Sequence, residues 1–256
     1  MATLDRMTPV LLAFDTSTEA LAVALQGPQG QRQTFLGEGG ALASSRLLPA
    51  VQQLLDGAGM VLAQVDAIAF GCGPGAFTGL RTACAVAQGL AFGADKPVLP
   101  IDSLLIVAED ERVRLGEPAT LQVAVAMDAR MGELYAARYL WAQGHWQTVQ
   151  PPGLWAPQAW RQQAREGAAG PGQAQAWVGS GLALVAQTLP AEDQATARHL
   201  AQAPADCADR AAALLRLADQ TWRAGGALPA EQALPVYLRD KVALTTAERQ
   251  ALKGGA

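Results

Sequence analysis

Apolar and polar positions along the chain fall into blocks that predict strands followed by helices, and the block order occurs twice. Val10 to Phe14 is an apolar run that ends in the polar turn Asp15-Thr16-Ser17-Thr18, and a second run, Ala20 to Leu25, follows it. Strand, turn and returning strand is the expected arrangement. Gln26 to Gly30 reads as a further turn and Gln31 to Leu36 as a third strand. A helix is expected from a cap at Ser44 or Ser45 to about Ala58, with Leu47, Leu48, Val51, Leu54 and Leu55 on one face. Pro49 falls in its first turn, where proline is tolerated.

Asp66 to Phe70 is another buried-strand pattern, and it runs into Gly71-Cys72-Gly73-Pro74-Gly75-Ala76-Phe77-Thr78-Gly79-Leu80-Arg81. A glycine-rich turn between strand and helix either presents backbone N–H groups to an anion or lets another backbone come very close. Thr78 is read as the N-cap of the helix that follows, which runs to about Phe92. That helix has almost no charged face, since only Arg81 and Gln88 are clearly polar. A helix apolar all round is expected to be buried on both sides. One side suits the sheet. The other suits a subunit interface or a further helix of the same chain. Pro97 to Ile101 then predicts a strand, and Asp102-Ser103 opens a helix through about Arg114.

The pattern restarts at Leu121 to Met127, a buried strand ending in Asp128-Ala129-Arg130-Met131-Gly132, with a returning strand from Glu133 to Leu140. Ala13-Phe14-Asp15 and Ala126-Met127-Asp128 hold equivalent places, which reads as an internal duplication. Gln143-Gly144-His145 is a hairpin turn, and Pro151 to Gln175 is Pro-, Gly- and Gln-rich with one short helix, Pro157 to Glu166. Ala176-Trp177-Val178 enters the turn Gly179-Ser180-Gly181 and then a helix. Asp206 to Arg223 is amphipathic, with Leu214, Leu215, Leu217 and Trp222 as core candidates. Leu234 to Arg239 reads as extended.

Half of the 256 residues are hydrophobic and the formal net charge is −4, so a large core is expected, and the chain by itself does not suit nucleic acid. Cys72, Cys84 and Cys207 match neither a disulfide framework nor a zinc pattern and suit a reducing cytosol. No run approaches membrane-spanning length and no apolar leader is evident, so the expected location is the cytoplasm.

Phe14-Asp15-Thr16-Ser17-Thr18, the glycine motif Gly71 to Arg81, Asp128-Ala129-Arg130-Met131-Gly132-Glu133-Leu134-Tyr135 and Pro235-Val236-Tyr237-Leu238-Arg239 resemble the signatures of the TsaB (YeaZ) family. They stand in that family's order and span nearly the whole chain. The resemblance implies an actin-like ATPase fold (ASKHA, a duplicated RNase H-like α/β plan) of two similar domains with mixed sheets. It implies a non-catalytic subunit that dimerises with TsaD and activates it, with TsaE joining, for transfer of threonylcarbamoyl to N6 of adenosine 37 in ANN-decoding tRNAs. No cofactor is then expected in this chain; ATP and metal belong to the partner subunits, tRNA is met only through the complex, and a homodimer is expected in isolation. Residues 1–106 are expected to form an N-terminal domain carrying the dimerisation helices, 107–245 a second domain and 246–256 a frayed tail, with the 206–223 helix packing back on the first domain. The expected partner-binding residues are Leu47, Leu48, Val51, Leu54, Leu55, Phe77, Leu80, Arg81, Cys84, Ala85, Val86 and Gln88. Many members carry a histidine shortly before the Leu-Leu-Pro segment, where this chain has Ala43-Ser44-Ser45-Arg46.

Catalytic chemistry finds little support in the residues themselves. His145 and His199 lie far apart, so no metal site is expected from them. Asp15, Thr16, Ser17, Asp128, Gly179 and Ser180 read as vestigial nucleotide turns, and Asp15 as a turn residue bonding local N–H groups. Gly73, Pro74, Gly75, Thr78 and Gly79 read as a structural motif. The glycine motif lacks the Gly-Lys-Ser/Thr ending of a P-loop. Gly71-x-Gly73-x-x-Ala76 with Asp102 loosely matches a dinucleotide-binding oxidoreductase, the first alternative. A glycoprotease-like hydrolase using Ser180 is the second, although Val178-Gly179-Ser180-Gly181 is not a nucleophile elbow.

Overall fold

The structure, a computed structural model, describes residues 8–166 and 175–239. The expected tail 246–256, the end of the second expected domain and part of the Pro/Gly-rich stretch lie outside the described residues. The element order begins β1 (Leu11–Asp15), β2 (Ala20–Gln26), β3 (Arg32–Glu38), α1 (Ala43–Gly57), β4 (Ala67–Gly73), α2 (Phe77–Ala94), β5 (Val98–Asp102) and α3 (Ser103–Arg114). It continues β6 (Leu121–Asp128), β7 (Leu134–Ala142), β8 (His145–Trp155), α4 (Pro157–Glu166), β9 (Gln175–Val178), α5 (Leu182–Gln187), α6 (Gln194–Ala201) and α7 (Arg210–Arg223).

Two mixed sheets share one plan. The first has the order β3-β2-β1-β4-β5 and the second β8-β7-β6-β9. In each, the leading strand pairs antiparallel with its hairpin partner and parallel with a later strand. Asp15 and Asp128 end the two leading strands, opposite Ala22 and Leu134 respectively. This is the duplicated α/β plan of the actin-like fold.

Side chains alternate across each strand, so a central strand feeds two cores. Leu12 and Phe14 of β1 face α1 and α2 on one side of the first sheet. Leu11 and Ala13 face the other side, where Ala22, Ala24, Ala67 and Ala69 keep the surface flat enough for Leu214, Leu215 and Leu217 of α7 to pack on it. Ile106 of α3 joins that layer, while Leu104, Val107 and Ala108 of the same helix pack on Val123, Val125 and Tyr139 of the second sheet. Trp160, Leu182 and Val185 cover the far side of the second sheet. Glu109, fully buried on α3, accepts hydrogen bonds from Arg112, from Trp146 Nε1 at 2.9 Å and from Arg216 Nε at 2.8 Å. One carboxylate therefore ties α3, α7 and β8 together.

Several local expectations need correction. Thr78 does not cap α2. The helix starts at Phe77, Thr78 lies exposed in its first turn, and Thr82 Oγ1 donates to the Thr78 carbonyl at 3.0 Å. Ala76, the residue before the helix, donates its N–H to the Ser17 carbonyl at 2.8 Å. Ser44 and Ser45 likewise sit inside the first turn of α1 rather than capping it, and Ser45 Oγ donates to the Leu42 carbonyl. Leu48 leaves the buried stripe of α1 formed by Leu47, Val51, Leu54 and Leu55 and is 49% exposed. α7 begins at Arg210, with Asp209 as the side-chain cap on Ala212 N. The segment from Pro151 is not all loop: β8 runs through Pro151-Pro152 to Trp155, which an edge strand with register shifts can accommodate.

α2 is not covered on both sides. Ala83, Cys84, Ala87 and Ala91 are buried against the first sheet and Leu80 beside Gly73, whereas Arg81, Ala85, Gly89 and Phe92 are exposed. Among the described residues, no helix is long and apolar enough to cross a membrane.

Candidate functional site

The glycine motif is shaped by the turn beside it. Thr16 Oγ1 donates to the Gly79 carbonyl at 2.7 Å, and Ala76 N donates to the Ser17 carbonyl. A Cβ on Gly79 would collide with the Thr16 carbonyl oxygen, one on Gly71 with the Asp15 carboxylate, and one on Gly75 would stand 2.5 Å from Ser17 O. Glycine is required here for close backbone approach, so of the two roles open to the motif these three positions serve packing. Gly73, with φ +115°, passes against the carbonyl of Val236, and Val236 N donates to the Cys72 carbonyl at 2.7 Å.

A cleft of about 620 Å3 opens between the two sheets, bounded by the turns after β1, β4 and β6, by Ser180, by Arg210 and by the extended segment Val236 to Arg239. Asp15 lies fully buried beneath its lining residues Ser17 and Arg210. Its carboxylate accepts from Ser17 N at 3.2 Å, Ser17 Oγ at 2.8 Å and Arg210 Nη1 at 2.8 Å. Arg210, 3% exposed at its side chain, also reaches Asp206 at 2.8 Å. Sequence reasoning missed this arginine, because it lies 195 residues from Asp15.

The actin-like fold implies a nucleotide and a metal at such a cleft, and the residues do not fit them. A guanidinium already pairs with the carboxylate that would serve a cation. The second turn presents Arg130 and Met131, at φ +67° and +57°, where a phosphate needs bare backbone. Asp128 instead accepts from Arg130 N at 2.7 Å, and Asp128 N donates its hydrogen to Ser180 Oγ at 3.1 Å. Gly179, at φ +120°, passes against Ala126 of β6. No group of three or more His, Cys, Asp or Glu able to hold a metal occurs among the described residues.

Both alternatives lose their residues. Ser180 accepts from the backbone N–H of Asp128, while His145 sits at the β7–β8 hairpin near Gln143 O and Gln147, and His199 lies in α6, so neither histidine is hydrogen-bonded to the serine. Asp102, the acid of the loose dinucleotide match, caps α3 through Leu104 N at 2.9 Å and accepts the Tyr139 O–H from β7. Burial pushes Cys72, Cys84 and Cys207 up to about 12, so all three are thiols rather than nucleophilic thiolates.

Burial also pushes the Asp102 carboxyl from 3.8 up to about 6, against the Tyr139 O–H and the N–H groups of Leu104 and Leu105, which hold it down. The folded state therefore binds this proton more tightly than the unfolded chain. The stabilisation is complete below about pH 4 and is lost as pH rises through about 6. The shift corresponds to at most about 3 kcal/mol, and to roughly half that once solvent contact at this half-buried residue is allowed for. Asp102→Asn is expected to flatten the stability profile between pH 4.5 and 7.5 and to be the more stable protein at the upper end. Urea unfolding at both pH values checks this, and parallel profiles for the two proteins would refute it.

Of the expected partner-binding residues, Leu47, Val51, Leu54, Leu55 and Cys84 point into the first sheet's core, and Leu80 is buried beside Gly73 at the wall of the cleft. Burial takes those six off the exposed surface of the lone chain, five of them because a helix on a sheet must spend its apolar stripe there. Leu48, Phe77, Arg81, Ala85, Val86 and Gln88 remain accessible. A shallow groove of about 430 Å3 lies along them, lined by Ser44, Phe77, Thr78, Arg81, Thr82, Ala85 and Val86. The C-terminal segment completes one end: Tyr237 stacks on Phe77 with centroids 5.2 Å apart, and Arg81 Nε donates to the Tyr237 hydroxyl oxygen at 3.0 Å. Two residues on, Arg239 crosses the cleft mouth to Glu133 and the Ala129 carbonyl. The Pro235 to Arg239 motif was visible in the sequence, but its contacts were not.

Residues 42–247 match the family model described as TsaD: tRNA N6-adenosine threonylcarbamoyltransferase. The tRNA threonylcarbamoyladenosine biosynthesis protein TsaB of Haemophilus influenzae is 46% identical over 125 residues, 49% of this chain and 51% of that one. In that match the chain spans about half the length of its relative. TsaB of Escherichia coli is 31% identical over 234 residues, covering 91% of this chain and 96% of that one. The solved structure of YeaZ from Pseudomonas aeruginosa is 39% identical, with a TM-score of 0.71, covering 90% of this chain and all of that one.

Proposed function

The chain belongs to the TsaB family, within the wider TsaD family whose model it matches, and on that premise we propose that it is a non-catalytic docking subunit in tRNA threonylcarbamoyladenosine biosynthesis. It binds and activates a TsaD-type subunit, which carries the nucleotide, the metal and the transfer of threonylcarbamoyl to N6 of adenosine 37. TsaE joins the pair, and tRNA is met through the assembly. Alone, the chain forms a homodimer through the same surface.

The observation that carries this reading is the uncovered face of α2. Ala85, Gly89 and Phe92 are exposed one below another, flanked by half-buried Val86 and Leu90. The face is apolar and carries no carboxylate anywhere along the helix, and small residues suit close approach of a second helix. The Asp15–Arg210 pair supports the non-catalytic part of the reading, because the floor of the cleft is filled by the chain's own cation.

Gly89→Glu tests the face without disturbing the fold, since a Cβ there meets nothing within 4 Å. A carboxylate trapped in an apolar contact without a partner costs well over about 1.4 kcal/mol. Affinity for the TsaD-type subunit is therefore expected to fall at least about tenfold with Tm unchanged, read by calorimetric titration and thermal unfolding. Unaltered affinity for this variant and for Ala85→Glu would move the docking surface off α2.

A further inference from the structure

Among the described residues, Arg81 is the one charged side chain lining the groove on α2, and its surroundings hold it in place. Its guanidinium carbon stands 3.8 Å from the Phe77 ring centroid and its Nε donates to the Tyr237 hydroxyl oxygen. Arg81 is exposed, and among the described residues no carboxylate pairs with it. An arginine whose stacking and Nε bond are already made has its Nη groups set out as a fork, the geometry that a carboxylate accepts in two parallel hydrogen bonds. Less rotamer freedom is then lost when that carboxylate arrives.

Helices α1 and α2 of a second copy offer a single carboxylate between them. α2 contains no Asp or Glu, and the only one on α1 is Asp56 in its last turn, where Oδ1 already accepts from Gln52 Nε2 at 2.7 Å. In a self-dimer built on these two helices, each Arg81 would face apolar or neutral surface.

Resting on the docking reading above, we propose that the groove receives a helix of the TsaD-type partner that is apolar along its contact stripe and carries one carboxylate side chain for Arg81. Tyr237, from the C-terminal segment, is a positioning residue for that ion pair. The same charge separates the heteromer from the self-dimer: both bury the apolar face, and only the heteromer satisfies the cation.

The test is calorimetric titration of the full-length protein with its own TsaD-type subunit at about 50 and about 500 mM salt, alongside its self-association by light scattering. Arg81→Gln is expected to weaken the heteromer about tenfold, to remove most of its salt dependence, and to leave self-association undiminished or strengthened, since the unpaired cation is gone from the self-dimer. Tyr237→Phe, which keeps the ring and loses the acceptor, is expected to give a smaller loss in the same direction. Thermal unfolding confirms that each variant is folded. Arg81→Gln binding with unaltered affinity and salt dependence, while Gly89→Glu still blocks the complex, would overturn the ion pair and leave the docking face standing. Equal weakening of heteromer and self-dimer would also overturn it. Normal binding by Gly89→Glu would remove the docking reading itself, and the ion pair with it.

Discussion

Arg210→Met is expected to destabilise the protein by about 3–5 kcal/mol, because it leaves the fully buried Asp15 carboxylate without its cation. Ser17 supplies two hydrogen bonds to that carboxylate but no charge. In a chain of this size the loss corresponds to roughly 10 °C in Tm. The second half of the prediction separates charge from packing. Asp15→Asn combined with Arg210→Met removes both charges, and most of the lost stability is expected to return, because an ion pair replaced as a whole is close to neutral. Thermal and urea unfolding of the two single variants and the double variant form the cycle. Arg210→Met within about 1 kcal/mol of the parent would show that the guanidinium does not neutralise Asp15, and the account of the cleft floor would fall. The pair also gives the aspartate that ends the leading strand a structural role, as an anchor for α7.

Gly79→Ala is expected to cost about 3 kcal/mol or more, at the upper end of what a single added methyl does in a packed site. The new Cβ collides with the carbonyl oxygen of Thr16, a backbone atom that cannot swing aside. Relief requires the β1–β2 turn to move off α2, which breaks the Thr16 Oγ1 to Gly79 O and Ala76 N to Ser17 O bonds together. Since α2 starts at that point, its exposed face should tilt, and binding of the TsaD-type subunit should weaken along with stability. Gly89→Ala on the same helix is the control. It has open space for its methyl and is expected to stabilise by a few tenths up to about 1 kcal/mol. Denaturant unfolding of both variants checks the contrast, and similar behaviour would mean that the glycine motif is not there for close approach.

The parts of the fold that were legible in the sequence are those written in short-range pattern. Phe14-Asp15 and Met127-Asp128 mark the ends of two equivalent strands because each closes a buried run with a polar turn, and the sheets place them as equivalents. Arg210 was not legible: its pairing with Asp15 joins α7 to β1, and no local pattern encodes a contact between such distant elements. The open side of α2 was left undecided in the sequence, between a subunit interface and a further helix of the same chain, for a different reason. Alanine and glycine look apolar by composition, yet they expose little area, so Ala85 and Gly89 can face solvent where a run of leucines could not. Leu48 shows the converse, a leucine on the edge of the α1 stripe that the apolar count placed inside and the sheet leaves outside. Tyr237 and Arg239 were readable as part of a motif, but their stacking on Phe77 and bonding to Glu133 depend on where the chain returns after the second sheet.

The central claim is that this chain acts by docking through α2, and light scattering coupled to size exclusion tests it most directly. The protein is run alone and mixed with the TsaD-type subunit of its own organism. The account predicts a self-dimer that gives way to a one-to-one heteromer when the partner is added, with Gly89→Glu failing to make the exchange. Separate elution of the two proteins, with TsaE, nucleotide and metal present, would contradict it.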